Sequence, residues 1–344
     1  MSLPEFQLSR PRTIKEAVHL LEQHVPNAQI LAGGTDLIPS LKQRLFTPAQ
    51  VIDIRGIDEL RGIRALPGGG VEIGALTTIS NIEDSGFIAS KFPVLHSAAG
   101  NVASPILRNM GTLGGNLCLD TRCVWYNQSL QWRKSCGFCL KKDGKVCHVA
   151  PGSEVCWAVF SGDLAPSLLC LNAEIEIVGP LGFRRIPLAE FYGNDGIERI
   201  HLERFEILTR VIIPDEFSGW KGSYQKLRLR GSIDYPLAGV AIAMKVKTGV
   251  IERAQVAITG SIRHRCWFPL PPMLSSAAEL TITMPMSSEN SPRKSPSRSR
   301  PPVPPPNIAV RWSAYWRNGP FWRLPRANLE TASKPPRLHQ IVEE

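Results

Sequence analysis

The chain has 344 residues, of which 43% are hydrophobic and 20% charged, with a formal net charge of +10. That length predicts two or three domains, and the composition excludes disorder throughout. No stretch approaches the ~18 apolar residues of a membrane helix, the first 12 residues lack a secretion-signal pattern, and eight cysteines are too sparse for a disulfide scaffold, so a cytoplasmic protein without membrane contact is expected.

Residues 1–60 read as a small α/β unit. Thr13 is a natural N-cap for a helix over 14–24 that aligns Ile14, Ala17, Val18 and Leu21 on one face. A short strand over 29–32 runs into Gly33-Gly34-Thr35-Asp36 and a helical stretch over 37–44, and a second strand covers 51–54. Residues 61–215 form a second α/β region. It contains strands over 71–74, 173–178 and 205–214 and helices over 78–84 and 92–101. A third unit begins near residue 220, with strands over 224–230 and 252–259 and an apolar element over 236–246. No internal repeat is present.

After Gly260 the pattern ends. Residues 261–344 hold 15 of the 29 prolines, four of the eight tryptophans and no aspartate. They carry a net charge of +7, against +3 for residues 1–260. The Ser/Arg/Pro-rich run over 291–306 cannot build a packed core. A zinc-stabilised nucleic-acid binder would use this basic tail and leave the paired Gly-Gly loops near residues 33 and 114 without a role, so no nucleic-acid partner is expected.

Two segments combine a Gly-Gly pair with a hydroxyl residue: Leu31-Ala32-Gly33-Gly34-Thr35-Asp36-Leu37 and Gly111-Thr112-Leu113-Gly114-Gly115-Asn116. Glycine permits close backbone approach and positive φ, and successive N–H groups can converge on phosphate oxygens. Neither segment matches a Rossmann fingerprint or a Walker A loop. Each alone reads as a tight turn; together they raise the case for a dinucleotide pyrophosphate site.

Seven of the eight cysteines lie between residues 118 and 170. Clustered cysteines in a polar loop point to a metal site, either Zn²⁺ or an iron–sulfur cluster. Only Cys136 and Cys139 have the C-x2-C spacing of a zinc knuckle, and the wide remaining gaps suit a larger cluster better. Cys170, in an apolar run, reads as a buried small hydrophobe. His148 is a further ligand candidate or an ordinary polar neighbour.

The stretch Ala103-Ser104-Pro105 … Arg108-Asn109-Met110-Gly111-Thr112-Leu113-Gly114-Gly115-Asn116, with Ala32-Gly33-Gly34-Thr35-Asp36-Leu37, resembles the FAD-binding subunits of the molybdenum hydroxylase (xanthine oxidase) family. Ser161-Gly162-Asp163-Leu164-Ala165-Pro166 is similar to the family's Ser-x-Asp-x-x-Pro segment. Tyr224-Gln225-Lys226 … Arg228 … Arg230 … Asp234 is similar to the motif opening its C-terminal domain. The resemblance covers residues 1 to 260. It implies an α+β, PCMH-type FAD-binding domain of two subdomains, 1–60 and 61–215. An iron–sulfur loop is inserted at 118–158. An incomplete C-terminal α/β domain of the CO-dehydrogenase-flavoprotein kind follows over 220–261, then an aberrant or disordered tail over 262–344.

By the same resemblance, FAD is held by Leu31, Ala32, Gly33, Gly34, Thr35, Asp36, Leu37, Ile38, Val102, Thr112, Leu113, Gly114, Gly115, Asn116, Asp163, Leu208 and Lys226. The amides of Gly33, Gly34, Thr35, Gly114 and Gly115 would cradle the pyrophosphate, and Asp36 would fix the loop. Asp163 belongs near the ribityl chain or ring, with Val102, Leu208 and Lys226 at the isoalloxazine. Read on its own, Lys226 is a solvated strand lysine.

The insertion is similar to that of the 4-hydroxybenzoyl-CoA reductase flavin subunits, where it binds a [4Fe–4S] cluster. The ligands carried over are Cys123, Cys139, Cys147 and Cys156, with Cys118 and Cys136 outside the set and Cys136 able to exchange with Cys139. The implied partners are a molybdenum-cofactor large subunit bearing the substrate site, a small subunit with [2Fe–2S] clusters, and reduced ferredoxin as donor, in a dimer of heterotrimers. This chain would relay electrons for dehydroxylation to benzoyl-CoA and hold no catalytic residue. Arg122, Arg133 and Lys134 read as solvated loop charges or as a ferredoxin docking patch. The alternative is the FAD subunit of another molybdenum hydroxylase, xanthine or CO dehydrogenase-like, with a different metal in the insertion.

The family's closing helices are missing from the tail. Codons compatible with residues 307–317, read one nucleotide earlier, allow a Tyr/His-Arg-Arg-x-Val-Glu-Arg-x-Leu-Ala stretch that resembles the family's final helix. An out-of-frame read and a genuine basic tail both fit the composition.

Overall fold

A computed structural model describes residues 2–260 and the backbone of Trp267–Pro269; the rest of the expected tail lies outside the described residues. The chain opens with β1 (Gln7–Ser9), α1 (Ile14–His24), β2 (Ala28–Leu31), α2 (Leu37–Lys42) and β3 (Gln50–Asp53). Thr13 caps α1, its Oγ1 accepting from the Glu16 amide at 3.2 Å. Ala17, Val18 and Leu21 bury the apolar face of α1 against Ile52, Ile54, Ile57 and Leu60. The three strands form a parallel sheet in the order β1-β3-β2. β3 is central, and all four of its residues are buried, as parallel strands covered on both faces require.

A five-stranded antiparallel sheet follows, ordered β4-β5-β8-β6-β7. Its strands are β4 (Ile63–Ala65), β5 (Val71–Gly74), β6 (Glu174–Gly179), β7 (Gly182–Pro187) and β8 (Ile207–Ile213). Short helices fill the long connection between β5 and β6: α3 (Ile79–Glu83), α4 (Gly86–Lys91), α5 (Pro93–Asn101), α6 (Pro105–Arg108), α7 (Leu113–Leu117), α8 (Leu130–Ser135) and α9 (Leu164–Cys170); α10 (Leu188–Phe191) follows β7.

The last sheet is antiparallel, ordered β12-β11-β10-β9, from β9 (Lys221–Leu227), β10 (Ala238–Lys247), β11 (Val250–Thr259) and β12 (Trp267–Pro269). Thr248 and Gly249 both have positive φ, 48° and 82°, the backbone of a tight two-residue hairpin turn. The expected C-terminal α/β unit has no helix of its own among the described residues. It borrows α5 and α9 instead. Gly222 admits the Val94 side chain of α5 so closely that a Cβ there would lie 2.9 Å from Val94 Cβ. The Cys170 thiol of α9 donates to Ala241 O and Gln255 O at 3.4 and 3.5 Å. One core therefore runs from Val71 through Phe92, Leu168 and Val211 to Ala257. Cys170 is fully buried within it, the small packed hydrophobe its neighbours imply.

The insertion lies between α7 and α9 and holds one short helix, α8. Its Tyr126 and Cys139 form a small core with Leu45, which follows α2, flanked by Phe46 and Cys123. Arg133, expected to be solvated, is 1% exposed. Its Nη2 donates to Gln43 O (3.2 Å) and Arg44 O (2.9 Å), and its Nε to Gln128 O (3.3 Å). The end of α2 leaves carbonyls without helical partners, and the guanidinium fork satisfies them.

Phe92→Ala removes a fully buried ring from the main core and is expected to cost about 3–5 kcal/mol, read from the urea midpoint, whereas Leu181→Ala, on the exposed β6–β7 turn, leaves the midpoint unchanged. Arg133→Met frees the insertion from α2. Faster chymotryptic cleavage within 118–158, with the rest of the chain resistant, is the expected outcome.

Candidate functional site

The two glycine loops meet. A Cβ on Gly33 would lie 1.9 Å from Met110 O, so only glycine allows this backbone contact. Gly34 has φ +75°, with Leu31 and Ile38 packed beneath the position a Cβ would take. Among the described residues, no protein group accepts from the N–H groups of Gly33, Gly34 or Thr35. This loop leaves the C-terminal end of β2, where open α/β sheets bind ligands.

The second loop is spent differently from expectation. The Leu113 amide donates to Thr77 O (2.9 Å), Gly114 to Ala75 O (2.8 Å) and Gly115 to Thr112 Oγ1 (3.1 Å). The Gly114 and Gly115 amides are therefore engaged inside the protein rather than offered to a pyrophosphate. A Cβ on Gly114 would lie 2.9 Å from Ala75 Cβ, so this glycine is there for packing. Asn116 Oδ1 accepts from the Leu164 amide at 3.0 Å and thereby positions the Ser161–Pro166 segment.

A cleft of about 1390 Å³ runs past both loops. It exceeds the ~300–1,000 Å³ of common small-molecule pockets. Ala32, Gly33, Gly34, Thr35, Asp36, Leu37, Val102, Thr112, Gly114, Gly115, Asn116, Asp163 and Leu208 line it. Leu31, Ile38, Leu113 and Lys226 do not. Leu31 and Ile38 sit under Gly34, and Leu113 is fully buried in the core.

Lys226 stands behind Asp163 and is not the solvated lysine its strand position implies. Its side chain is 1% exposed, and its Nζ lies 2.9 Å from Asp163 Oδ2 and 3.3 Å from Asn101 O. Tyr224 Oη donates to the other Asp163 oxygen at 2.7 Å. Burial pushes the Asp163 carboxyl up from its ordinary value, while Lys226 and Tyr224 pull it back.

Asp36 fixes its loop through partners invisible in the sequence. Its carboxylate accepts from Arg122 of the insertion and from Tyr235 Oη of the β9–β10 connection (3.4 Å). The Arg122 guanidinium lies 4.1 Å over the Tyr235 ring. Burial raises the Asp36 carboxyl, opposed chiefly by Arg122. With Arg122 engaged and Arg133 buried, the expected patch of Arg122, Arg133 and Lys134 keeps only Lys134 exposed. The far end of the cleft carries Arg184, Glu198, Arg199, His201, Arg204 and Glu206. The dense charge run over 198–206 is the one sequence signal for all of them but Arg184.

Cys123, Cys139, Cys147 and Cys156 line a second, small cavity with Trp125, Tyr126, Leu140, Lys141, His148, Val149 and Ala158. Cys139, Cys147 and Cys156 are buried. Cys118 lines the large cleft instead, and Cys136 caps the end of α8 outside both cavities. Of the close pair Cys136 and Cys139, only Cys139 faces the cavity. The His148 ring stacks on Trp125 at 4.7 Å, and its Nε2 bonds Phe138 O. Burial pushes the Cys123 thiol up and the Cys156 thiol to about 11. Among the described residues, no group of three or more His, Cys, Asp or Glu side chains is placed to hold a metal ion. Also among them, no helix is long and apolar enough to cross a membrane.

Residues 4–216 match the family described as FAD binding domain in molybdopterin dehydrogenase. The chain is 31% identical to the nicotinate dehydrogenase FAD-subunit of Eubacterium barkeri, covering 83% of each chain. It is 31% identical to the carbon monoxide dehydrogenase medium chain of Afipia carboxidovorans, covering 76% of each. The solved structure of reconstituted CO dehydrogenase from Oligotropha carboxidovorans superposes with a TM-score of 0.62 at 29% identity, covering 78% of this chain and 79% of that one. The mixed helix-and-sheet architecture is thus the PCMH-type FAD-binding fold, and the chain belongs to the FAD-binding subunits of the molybdenum hydroxylase family.

Proposed function

We propose that this chain is the FAD- and [4Fe–4S]-carrying electron-transfer subunit of a 4-hydroxybenzoyl-CoA reductase-type enzyme. The observation that carries the reading is the convergence of four insertion cysteines on one buried cavity beside the flavin cleft. In this reading the chain is cytoplasmic, and it takes electrons from a ferredoxin and relays them to a [2Fe–2S] small subunit and a molybdenum large subunit that holds the substrate. FAD binding itself follows from the family.

The residues fit FAD. The free amides of Gly33, Gly34 and Thr35 suit an anionic pyrophosphate. Arg122 and Tyr235 hold the Asp36 carboxylate in the loop. Val102 and Leu208 supply apolar wall, and the buried Lys226–Asp163–Tyr224 network holds Asp163 at the cleft surface. Bound flavin supplies one- and two-electron redox chemistry.

The cysteines also fit a cluster. Buried thiols are poor anions until metal displaces their protons. A bound cluster supplies one-electron transfer. The four cysteines anchor it, and Arg133 holds their loop against α2. The similarity to nicotinate and CO dehydrogenase subunits is equally consistent with the alternative, an FAD subunit of another molybdenum hydroxylase, which would carry a different metal in the insertion.

Anaerobic metal and sulfide analysis decides between them: about four iron and four sulfide per FAD are expected, and flavin with zinc or without iron would establish the alternative. Serine at Cys123, Cys139, Cys147 or Cys156 should each lower iron content, whereas Cys136→Ser should not. Gly34→Val, straining a left-handed residue against Leu31, should weaken FAD binding at least about tenfold, roughly 1.4 kcal/mol, by flavin fluorescence titration with unchanged circular dichroism.

A further inference from the structure

Two side chains, Tyr126 and Lys141, line both the flavin cleft and the cysteine cavity. They form the wall between the two. Lys141 belongs to the tight turn that starts at Cys139, closed by the Lys142 amide donating to Cys139 O at 2.9 Å. Its side chain is only 6% exposed. The ammonium donates to Asp120 Oδ1 (2.8 Å), Gly196 O (2.9 Å), Thr121 O (3.1 Å) and Thr121 Oγ1. It also sits 4.5 Å over the Tyr126 ring.

The charge count around it is uneven. Asp120 is the carboxylate partner of both Lys141 and Arg199, the latter at 3.4 Å. One anion thus faces two cations, and the group keeps a residual positive charge. Burying such a charge is costly unless another anion is near. The thiol groups of the cysteine cavity lie along the wall that Lys141 shares, and Asp195, whose Oδ1 accepts from the Cys156 amide at 3.1 Å, is a further carboxylate beside them.

We propose that Lys141 is the fixed counter-charge of the cysteine site, making the reduced, more negative form of the bound centre easier to reach, and that Asp120 sets how much of that charge the site feels. This inference rests on the iron–sulfur reading of the cavity. Lys141 is not offered as a ligand. It acts through the field at the four sulfurs, across a wall with little water to screen it. Tyr126 completes the wall.

The test uses the full chain, reconstituted anaerobically with ferrous iron and sulfide. Iron content, flavin content and the midpoint potential of the iron–sulfur band are measured, the potential by dithionite titration, in which each centre gains one electron from the dithionite. Lys141→Met should shift the midpoint to more negative potential with iron and flavin retained. Lys141→Arg should restore it, and Lys145→Met, an exposed charge of the same loop, should leave it at the wild-type value. Asp120→Asn should shift it the opposite way, to more positive potential. A merely structural role does not produce opposite signs. An unchanged midpoint in Lys141→Met with iron retained overturns the proposal, as do shifts of one sign in both variants. If Lys141→Met does not fold, the sign of the Asp120→Asn shift decides alone. A wild-type chain that takes up no iron overturns the iron–sulfur reading and this proposal with it; iron uptake without the shifts overturns only the proposal.

Discussion

The backbone contact between Gly33 and Met110 is the constraint on which the rest of the site depends. A side chain at Gly33 would fall on the Met110 carbonyl. With none there, the end of the parallel sheet is seated directly against the segment leading into α7. That seating brings the free amides of the first loop to one wall of the cleft and the Thr112–Asn116 turn to another. The two Gly-Gly pairs look equivalent as strings of residues, yet their chemistry diverges. One leaves its N–H groups open, and the other consumes them in its own cap and in the bond to Ala75.

The charged groups around the cleft obey a single rule. Each buried ion is paired and further hydrogen-bonded, as a low-dielectric wall demands. Asp163 has Lys226 and Tyr224, Asp36 has Arg122 and Tyr235, and Asp120 has Lys141 and Arg199. These pairs join different parts of the chain: the Ser161–Pro166 segment to β9, the first glycine loop to the insertion, and the insertion to the connection before β8. Removing one partner would strand a buried charge, so the pairs lock the cleft walls in register.

The insertion is held by the same logic on a smaller scale. Its buried apolar side chains are few, Leu119, Tyr126, Cys139, Cys147 and Cys156, and Tyr126 and Cys139 pack against Leu45 from outside it. Arg133 compensates by satisfying the carbonyls at the end of α2. The loop is thereby firm enough to turn four cysteines to one cavity while Cys118 and Cys136 face elsewhere.

The sequence by itself determined the local elements. The face of α1, its Thr13 cap and the strands over 71–74 and 252–259 were all legible, because periodicity and capping are short-range effects. Its ordered motifs were enough to resemble the flavin subunits of the molybdenum hydroxylase family, and its cysteine spacing marked out the insertion. Only the tertiary structure decided how donors and charges are used. Whether the Gly114 amide is free, whether Arg133 meets water or Lys226 is buried, and which helices cover the last sheet all depend on contacts between residues far apart in the chain. Gln43 and Arg133, or Asp163 and Lys226, carry no mark in the sequence of the partner that burial will give them.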